Sequence, residues 1–567
     1  MSLDPIQTLF LVPVAVLGVA AFTSAFGYFS GEGVRTVSRF QFRLALTIAS
    51  MAGVVLSRGK LQFLLAWEAM GLASAALVAF EAHERHVRNA TWTYLLACHA
   101  GASALMVAGV LMESESTMLA AFFAAVVGFG LKIGFPPFHV WLPEAHPAAP
   151  SPASAVMSGA MIPLGFYGLL RFIPFTAWSA TDVPPSCGWT LLALGAVGAL
   201  GGIMFAMAQS NLKRLLAFSS VENMGVISMA LGLALVSGGK DAYAFGDVRS
   251  LALTGALLHI LNHAFLKGAL FIGAGAVLRG AKTLDQDKMG GLMRRMPLTG
   301  SLFTINALGL AGLPPLNGFL GELLIYVGAF YALKSGDGAI ALAGFTVIAA
   351  LSLTGALAAL AYCKAIGAVF LGEPRSEDAA NAAEPPRSMF AAQLGLTVLS
   401  VAMVPFCIIA AHRATQGDAD GVIITAAAAG TATVALTLAL LFARRFIAPR
   451  GSSKPVLPTW DCGYAEPTAR MAYTATAFTQ PAADFFRNLL RPRRHVIAFK
   501  GNPSAPTDAA IAVETDDVAL TGLWRPFFTA VARVFQRAHL LQGGSLHLYI
   551  LIILVSVVAL LVAAFVK

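Results

Sequence analysis

Cysteine is scarce and scattered: five residues in 567, at Cys98, Cys187, Cys363, Cys407 and Cys462. None forms a CxxC pair, so neither an iron–sulfur cluster nor a zinc site is supported. Charge is sparse as well, at 12% of residues against 57% hydrophobic, a balance that excludes a soluble domain of this length. The formal charge of +9 is spread between apolar runs, which fits cytoplasmic loops better than a nucleic-acid surface. The start, Met1-Ser2-Leu3-Asp4-Pro5, lacks the basic n-region of a signal peptide, so residues 6–29 read as a retained span.

What the chain has is apolar runs of spanning length. They fall near 6–29, 41–57, 61–80, 92–112, 117–135, 153–174, 189–209, 213–236, 250–278, 298–333, 339–371, 390–411, 421–446 and 546–567. The pattern predicts an all-α polytopic membrane protein of about 14 transmembrane helices. Its parts are an N-terminal span (1–40), two halves of a core (41–174 and 189–371), additional spans (390–446), a polar and amphipathic lateral region (447–545) and a C-terminal span (546–567). Arg35 and Arg39, Lys213 and Arg214, and Arg279, Lys282, Lys288, Arg294 and Arg295 fall in loops of one side. The positive-inside rule makes that side cytoplasmic and puts both termini on the other, in a bacterial inner membrane.

Two runs are interrupted. Lys132 lies inside the fifth, just before Pro136-Pro137, and Glu322 follows Pro314-Pro315 in the tenth. A lysine at membrane depth costs roughly 2.5–3.5 kcal/mol on insertion scales. Paired prolines remove backbone donors and break the helix, which is tolerated in a membrane only against protein or a wet cavity. Five spans separate the two breaks, and an odd repeat length inverts the second copy, an arrangement found in transporters. The plainer alternative is a lysine snorkelling from a proline-kinked helix.

Other ionisable residues lie in apolar runs. Glu68 is mid-span and is a candidate switching partner of Lys132. His259, His263 and Lys267 share a helix face at i, i+4 spacing. Two histidines at that spacing can hold zinc, but no glutamate follows the first and no third ligand is evident, so a proton relay is the better reading. Lys213, Glu222 and Lys364 complete the set, with Lys213 and Glu222 near a span edge, where loop charges are the alternative. In the polar region, 484–491 and 523–533 are amphipathic pieces suited to the membrane surface or to partner subunits, and 500–520 reads otherwise as a linker.

These motifs carry a family resemblance. The stretch from Leu131-Lys132 through Pro136-Pro137-Phe138-His139, Glu144 and His146 to Ala155 resembles the signature of antiporter-like subunits of respiratory complex I and Mrp antiporters. Asn211 to Asn223, His259 to Lys267, and Asn317 to Glu322 resemble it as well. Trp460 to Thr476 is similar to the hydrogenase-4 component B branch, with formate hydrogenlyase membrane subunits. The resemblance implies inverted five-helix repeats, each with a broken helix, and a proton pathway through Glu68, Lys132, Lys213, His259, His263, Lys267, Glu322 and Lys364. It implies no cofactor or redox chemistry of the chain's own, and membrane partners in an NADH:quinone oxidoreductase- or hydrogenase-type complex. It leaves sodium open beside the proton. An Mrp-type cation/proton antiporter subunit and the membrane partner of an inorganic-carbon uptake system are the alternatives, with a structural anchor as a further one. Two departures stand out. Pro163 and Met157 occupy positions where the resemblance implies a lysine or a histidine, and about two N-terminal spans of the usual fold are not seen.

Overall fold

The computed structural model describes residues 3–172, 184–238, 248–414, 473–502 and 505–538, with isolated residues in 428–443 and 551–555. Among the described residues, eleven helices are long and apolar enough to cross a membrane, with mean hydropathy from 1.3 to 2.2. Most of the runs near 421–446 and 546–567, and most of the Trp460 to Thr476 motif, lie outside the described residues.

The order is α1 (Pro5–Tyr28), α2 (Val34–Leu56), α3 (Lys60–Val78), α4 (Arg85–Leu111), α5 (Met118–Ile133), α6 (Leu142–Ala148), α7 (Ser151–Val156), α8 (Leu164–Phe172), α9 (Pro185–Met207), α10 (Leu212–Val236) and α11 (Val248–Ala281). Then follow α12 (Pro297–Leu310), α13 (Asn317–Leu333), α14 (Gly338–Phe370), α15 (Arg387–Ala414), α16 (Ala475–Phe485), a hairpin of β1 (Arg493–Asn502) and β2 (Ala505–Glu514), and α17 (Arg525–Ala538). Starts are set by local caps. Asp4 and Gln7 form a capping box ahead of Pro5, Asn211 caps α10 and Asp337 caps α14. The centre is α10 and α11, whose apolar windows are 94% and 100% buried, with α9 packed along α10 on a seam of small residues.

Both interruptions are real breaks of the backbone. α5 closes on Gly134 at φ +87, whose N–H bonds the Gly130 carbonyl, and the chain resumes as a 3-10 turn, Phe138–Trp141, leading into α6. α12 closes near Gly312 at φ +69 and α13 begins at Asn317. A side chain would strain either glycine, because positive φ is rarely open to other residues. Pro136-Pro137 and Pro314-Pro315 are both cis. The Trp141 indole donates to the Leu131 carbonyl at 2.7 Å, tying the two sides of the first break. α7 and α8 are joined by a π turn, Met157–Met161, that ends directly before Ile162-Pro163.

In the described stretch 473–515, α16 and Thr515 meet the loops of the basic face. The Asp287 carboxylate accepts the Thr476 amide at 2.9 Å and its hydroxyl at 2.5 Å, which holds α16 against the ends of α9 and α14. The stretch expected as a linker is instead an antiparallel hairpin, with Arg493 opposite Glu514 and Asn502 opposite Ala505. It adds a small β element to an otherwise helical chain. Residues 516–567 form a separate unit, in which Trp524 packs on Phe527 and Phe528 at the head of the amphipathic α17.

An Asp287→Ala variant removes the carboxylate at the head of α16. The expected cost is roughly 0.5–2 kcal/mol, as for a lost helix cap. Hydrogen exchange should quicken across 475–485 and stay unchanged in α10 and α11.

Candidate functional site

Lys132 stands on the last turn of α5, 4% exposed. Its ammonium donates to the Tyr94 hydroxyl at 2.9 Å and to Cys98 Sγ at 3.4 Å, both on α4. It also lies 5.0 Å from the Tyr94 ring centroid and 6.0 Å from that of Trp67, within cation–π range. The Tyr94 hydroxyl continues to Ser74 Oγ at 2.6 Å. A cavity of about 10 Å³ beside Lys132, lined by Trp67, Cys98, Leu131 and Trp141 among others, has room for one water.

Glu68 does not pair with Lys132. Its carboxylate meets His99 Nδ1 at 3.2 Å, with the two side chains 29% and 54% exposed. Tyr94 and Cys98 occupy the position next to the ammonium, and Glu68 sits on the outer side of α3, next to the inward Trp67. The expected switching pair is thus replaced by a hydroxyl, a thiol and two rings.

The remaining lysines lie deeper. Lys213 is 1% exposed and donates to the Ala149 carbonyl at the end of α6, at 2.7 Å. Lys267 is fully buried and donates to the Leu216 carbonyl at 2.9 Å and to Ser219 Oγ at 2.5 Å. Lys364, 1% exposed, donates to the Met207 and Gln209 carbonyls at 2.8 Å each. Lys213 and Glu222, expected near a span edge, are both buried because α10 is central.

Around Lys267 the polar groups form a cluster. Asn223 donates to Glu222 Oε2 at 2.5 Å, and its Oδ1 meets His259 Nε2 at 3.0 Å. His263, one turn from each of its neighbours on α11, is buried with both ring nitrogens unpartnered. Tyr362 of α14 stands among Ser219, Glu222 and Glu322, and so joins the cluster to the second break. There the Glu322 carboxylate lies against Gly312, where an added Cβ would meet Oε2 at 2.6 Å. Asn262 and Asn317 exchange hydrogen bonds at 2.7 and 3.0 Å and pin α11 to the start of α13.

The structure therefore gathers His259, Lys267, Glu222 and Glu322 into one central group, keeps Lys132 in a group of its own, and leaves Lys213 and Lys364 at two carbonyl-lined ends. Glu68 stands apart on the outer face. Tyr94, Cys98, Ser219, Asn223 and Tyr362 were not anticipated, although an uncharged polar residue inside an apolar run is a readable signal for each. Between the two groups lies the π turn before Pro163, where Ser158 and Ser220 share a hydrogen bond at 2.9 Å. Among the described residues, no set of three or more His, Cys, Asp or Glu side chains could hold a metal ion.

Broken helices around buried cations define the class, and comparison with known proteins agrees. Residues 109–350 match the family model described as NADH:quinone oxidoreductase/Mrp antiporter, TM. Hydrogenase-4 component B of Escherichia coli (strain K12) is 32% identical over 99% of this chain and 88% of its own length. Formate hydrogenlyase subunit 3 of the same strain is 32% identical over 65% of this chain and 60% of its own. In fold, the chain resembles a subunit in the structure of the membrane-bound sulfane sulfur reductase, an archaeal respiratory membrane complex. The TM-score there is 0.74 at 20% identity, over 99% of this chain and 89% of that one. The Mrp complex from Dietzia sp. DQ12-45-1b gives 0.60 at 19% identity, over 75% and 86%. The chain belongs to the family of antiporter-like membrane subunits, in the hydrogenase-4 component B branch.

Tyr94→Phe takes away the hydroxyl that accepts from Lys132 and leaves that buried bond unmade, a loss of about 1–3 kcal/mol. The purified complex should show a lower thermal midpoint for this subunit. Ser74→Ala, which leaves the lysine's bond in place, should shift it less.

Proposed function

We propose that this chain translocates protons across a bacterial inner membrane as one subunit of a respiratory complex, driven by the redox turnover of its partners. The observation that carries the reading is the set of four lysines buried at membrane depth or at helix ends, each held by neutral oxygens and placed around two broken helices. A fixed structural cation is cheapest when paired with a carboxylate. A cation whose direct hydrogen bonds go to neutral acceptors can lose its proton without breaking an ion pair, as a relay requires. Protons pass between Lys132, the central group of Lys267, His259 and Glu222, and Glu322, with Lys213 and Lys364 at the basic face. Charge on one site alters its neighbours through the Coulomb term, which grows as the effective dielectric falls. Pumping is coupled in this way to events in a neighbouring subunit.

The chain supplies no redox chemistry in this reading; its partners are other membrane subunits and, through them, peripheral redox subunits. The basic loops face the cytoplasm and both termini the opposite side. A redox-linked complex is favoured over an Mrp antiporter because the match to hydrogenase-4 component B spans 99% of this chain. The match to an Na(+)/H(+) antiporter protein of Alkalihalophilus pseudofirmus spans 57%.

The test uses the intact complex in sealed vesicles, with proton movement read by a pH dye while the redox partner turns over. Lys132→Ala and Lys267→Ala should each abolish proton movement and leave the subunit in the complex. Wild-type pumping in both would remove the proposal. Pumping that depends on added sodium would replace the proton by sodium in the same sites.

A further inference from the structure

We infer that the cavity where the ends of α1, α2, α3 and α8 meet, on the side opposite the basic loops, binds the headgroup of an anionic phospholipid whose acyl chains lie along the outer face of α3. The inference needs only that the chain spans a membrane, and it is independent of the proton path.

The cavity has a volume of about 500 Å³, within the range of small-ligand sites. α2 runs from Arg35, among the basic loops, to the Ser57 that lines the cavity, so the site lies on the far side of the membrane. One wall is tied together. Asp4, ahead of α1, pairs with Arg171 of α8, whose guanidinium lies 5.6 Å from the Tyr167 ring centroid. The Tyr167 hydroxyl donates to the Val55 carbonyl at 2.6 Å, and Gln7 Nε2 donates to the same carbonyl at 3.1 Å. The last turn of α2 is thereby fixed to α1 and α8.

The other wall carries unpaired charge. Arg58 and Lys60 flank Gly59 between α2 and α3, and neither has an ion-pair partner among the described residues. α3 also starts on Gly59 without a side-chain cap, so no side chain covers the positive end of the helix beside Lys60. Among the residues that line it, the cavity has three cations, Arg58, Lys60 and Arg171, against one carboxylate, Asp4. Glu113 follows Met112 in the chain but does not line it. A partly enclosed site lined by one sign of charge concentrates the opposite ion, here an anion.

The surroundings select a lipid over a free anion. The spans of α2, α3 and α4 have only 39%, 50% and 33% of their apolar windows buried, so the cavity opens at an outer edge of the bundle. Leu56, just ahead of the cationic loop, and Leu61 and Leu65, one turn apart on α3, are 44%, 70% and 63% exposed. Acyl chains along these leucines bring a phosphodiester to the level of Arg58 and Lys60, and basic pockets between spans are known to hold lipid headgroups. Phe63 and Met112 give the cavity an apolar lining for the glycerol backbone. Phe63 also stacks on Trp67 at 5.6 Å, and Trp67 lies 6.0 Å from the Lys132 ammonium, so the lipid rests against the aromatic surround of the first cation.

The test photolabels the intact complex in a neutral detergent with phosphatidylglycerol that carries a diazirine near the head of one acyl chain. Labelled peptides should include residues 56–65. Unlabelled phosphatidylglycerol should compete for that label, whereas phosphatidylcholine and inorganic phosphate at the same concentration should not. Arg58→Ala combined with Lys60→Ala should lower the affinity read from the competition by roughly thirtyfold. Arg58→Lys combined with Lys60→Arg keeps both charges and should keep the affinity. Lys334, at the end of α13 on the same side of the membrane, is a cation away from the cavity, with its ammonium 4.5 Å from the Phe330 ring centroid. Lys334→Ala should leave the affinity unchanged, and a loss equal to that of the double alanine variant would overturn the inference in favour of bulk surface charge. Equal competition by phosphatidylcholine would overturn it too. Protection by inorganic phosphate alone would make the cavity a free-anion site, and label absent from 56–65 would give it to a partner subunit; either result also overturns the inference. Where the double alanine variant does not assemble, Arg58→Gln alone decides, with a loss of roughly fivefold.

Discussion

An ammonium group inside an apolar bundle must find oxygen, and much of this structure is arranged around that need. Lys213, Lys267 and Lys364 find backbone carbonyls at 2.7–2.9 Å, and Lys132 finds a tyrosine hydroxyl at 2.9 Å. Two of these acceptor sets lie at helix ends: Ala149 just after α6, and Met207 and Gln209 at and just beyond the last residue of α9. Carbonyls in the last turn of a helix have no intrahelical partner, so an end buried in a membrane protein is a ready cation site. The same choice sets the chemistry. Breaking a buried ion pair costs about 3–5 kcal/mol because it leaves a charge uncompensated. A lysine whose direct acceptors are all neutral leaves no broken ion pair behind when its proton goes.

The two breaks serve that arrangement in different ways. At the first, Gly134 turns the chain so that α6 ends beside Lys213, and the Trp141 indole ties the turn back to α5. At the second, Gly312 makes room for the Glu322 carboxylate, while Asn262 and Asn317 fix α13 to α11. The repeat is therefore one of backbone form and not of side-chain chemistry: the first break presents a cation, the second an acid. The π turn at Met157–Met161 falls between the two polar groups, a position where such turns frequently mark function.

The spans were largely legible. The run at 213–236 corresponds to Leu212–Val236 and that at 6–29 to Pro5–Tyr28, because bilayer thickness sets the length of an apolar run and caps set its ends. Both breaks were legible from their prolines. The partners of the charges were not. Position along α3 placed Glu68 at the depth of Lys132, but depth says nothing of azimuth, and the carboxylate turns outward to His99. Tyr94 carries no charge, and its hydroxyl in an apolar run is a weaker signal than a buried ion, although it holds the lysine. Lys213 and Glu222 looked peripheral because distance from a run's end is a poor measure of burial when the helix is the central one. The hairpin had no strong signal either, since two strands of ten residues each leave little periodicity to read.

The last cation links the membrane core to the C-terminal segment. Lys364 is held by the carbonyls of Met207 and Gln209, and the Gln209 carbonyl also accepts from Gln286. Gln286 adjoins Asp287, the carboxylate that seats α16, and Arg375 grips the carbonyls of both residues. The Gln209 side chain reaches the Thr515 carbonyl at 3.4 Å, where the hairpin ends. Two loops joined through Gln286 thus supply the oxygens around the cation and the contacts that seat the segment. A ligand or a partner shifts a conformational equilibrium only through contacts that differ between its states. The paired loops of 207–211 and 285–288 are where such a difference at α16 would reach the oxygens around Lys364.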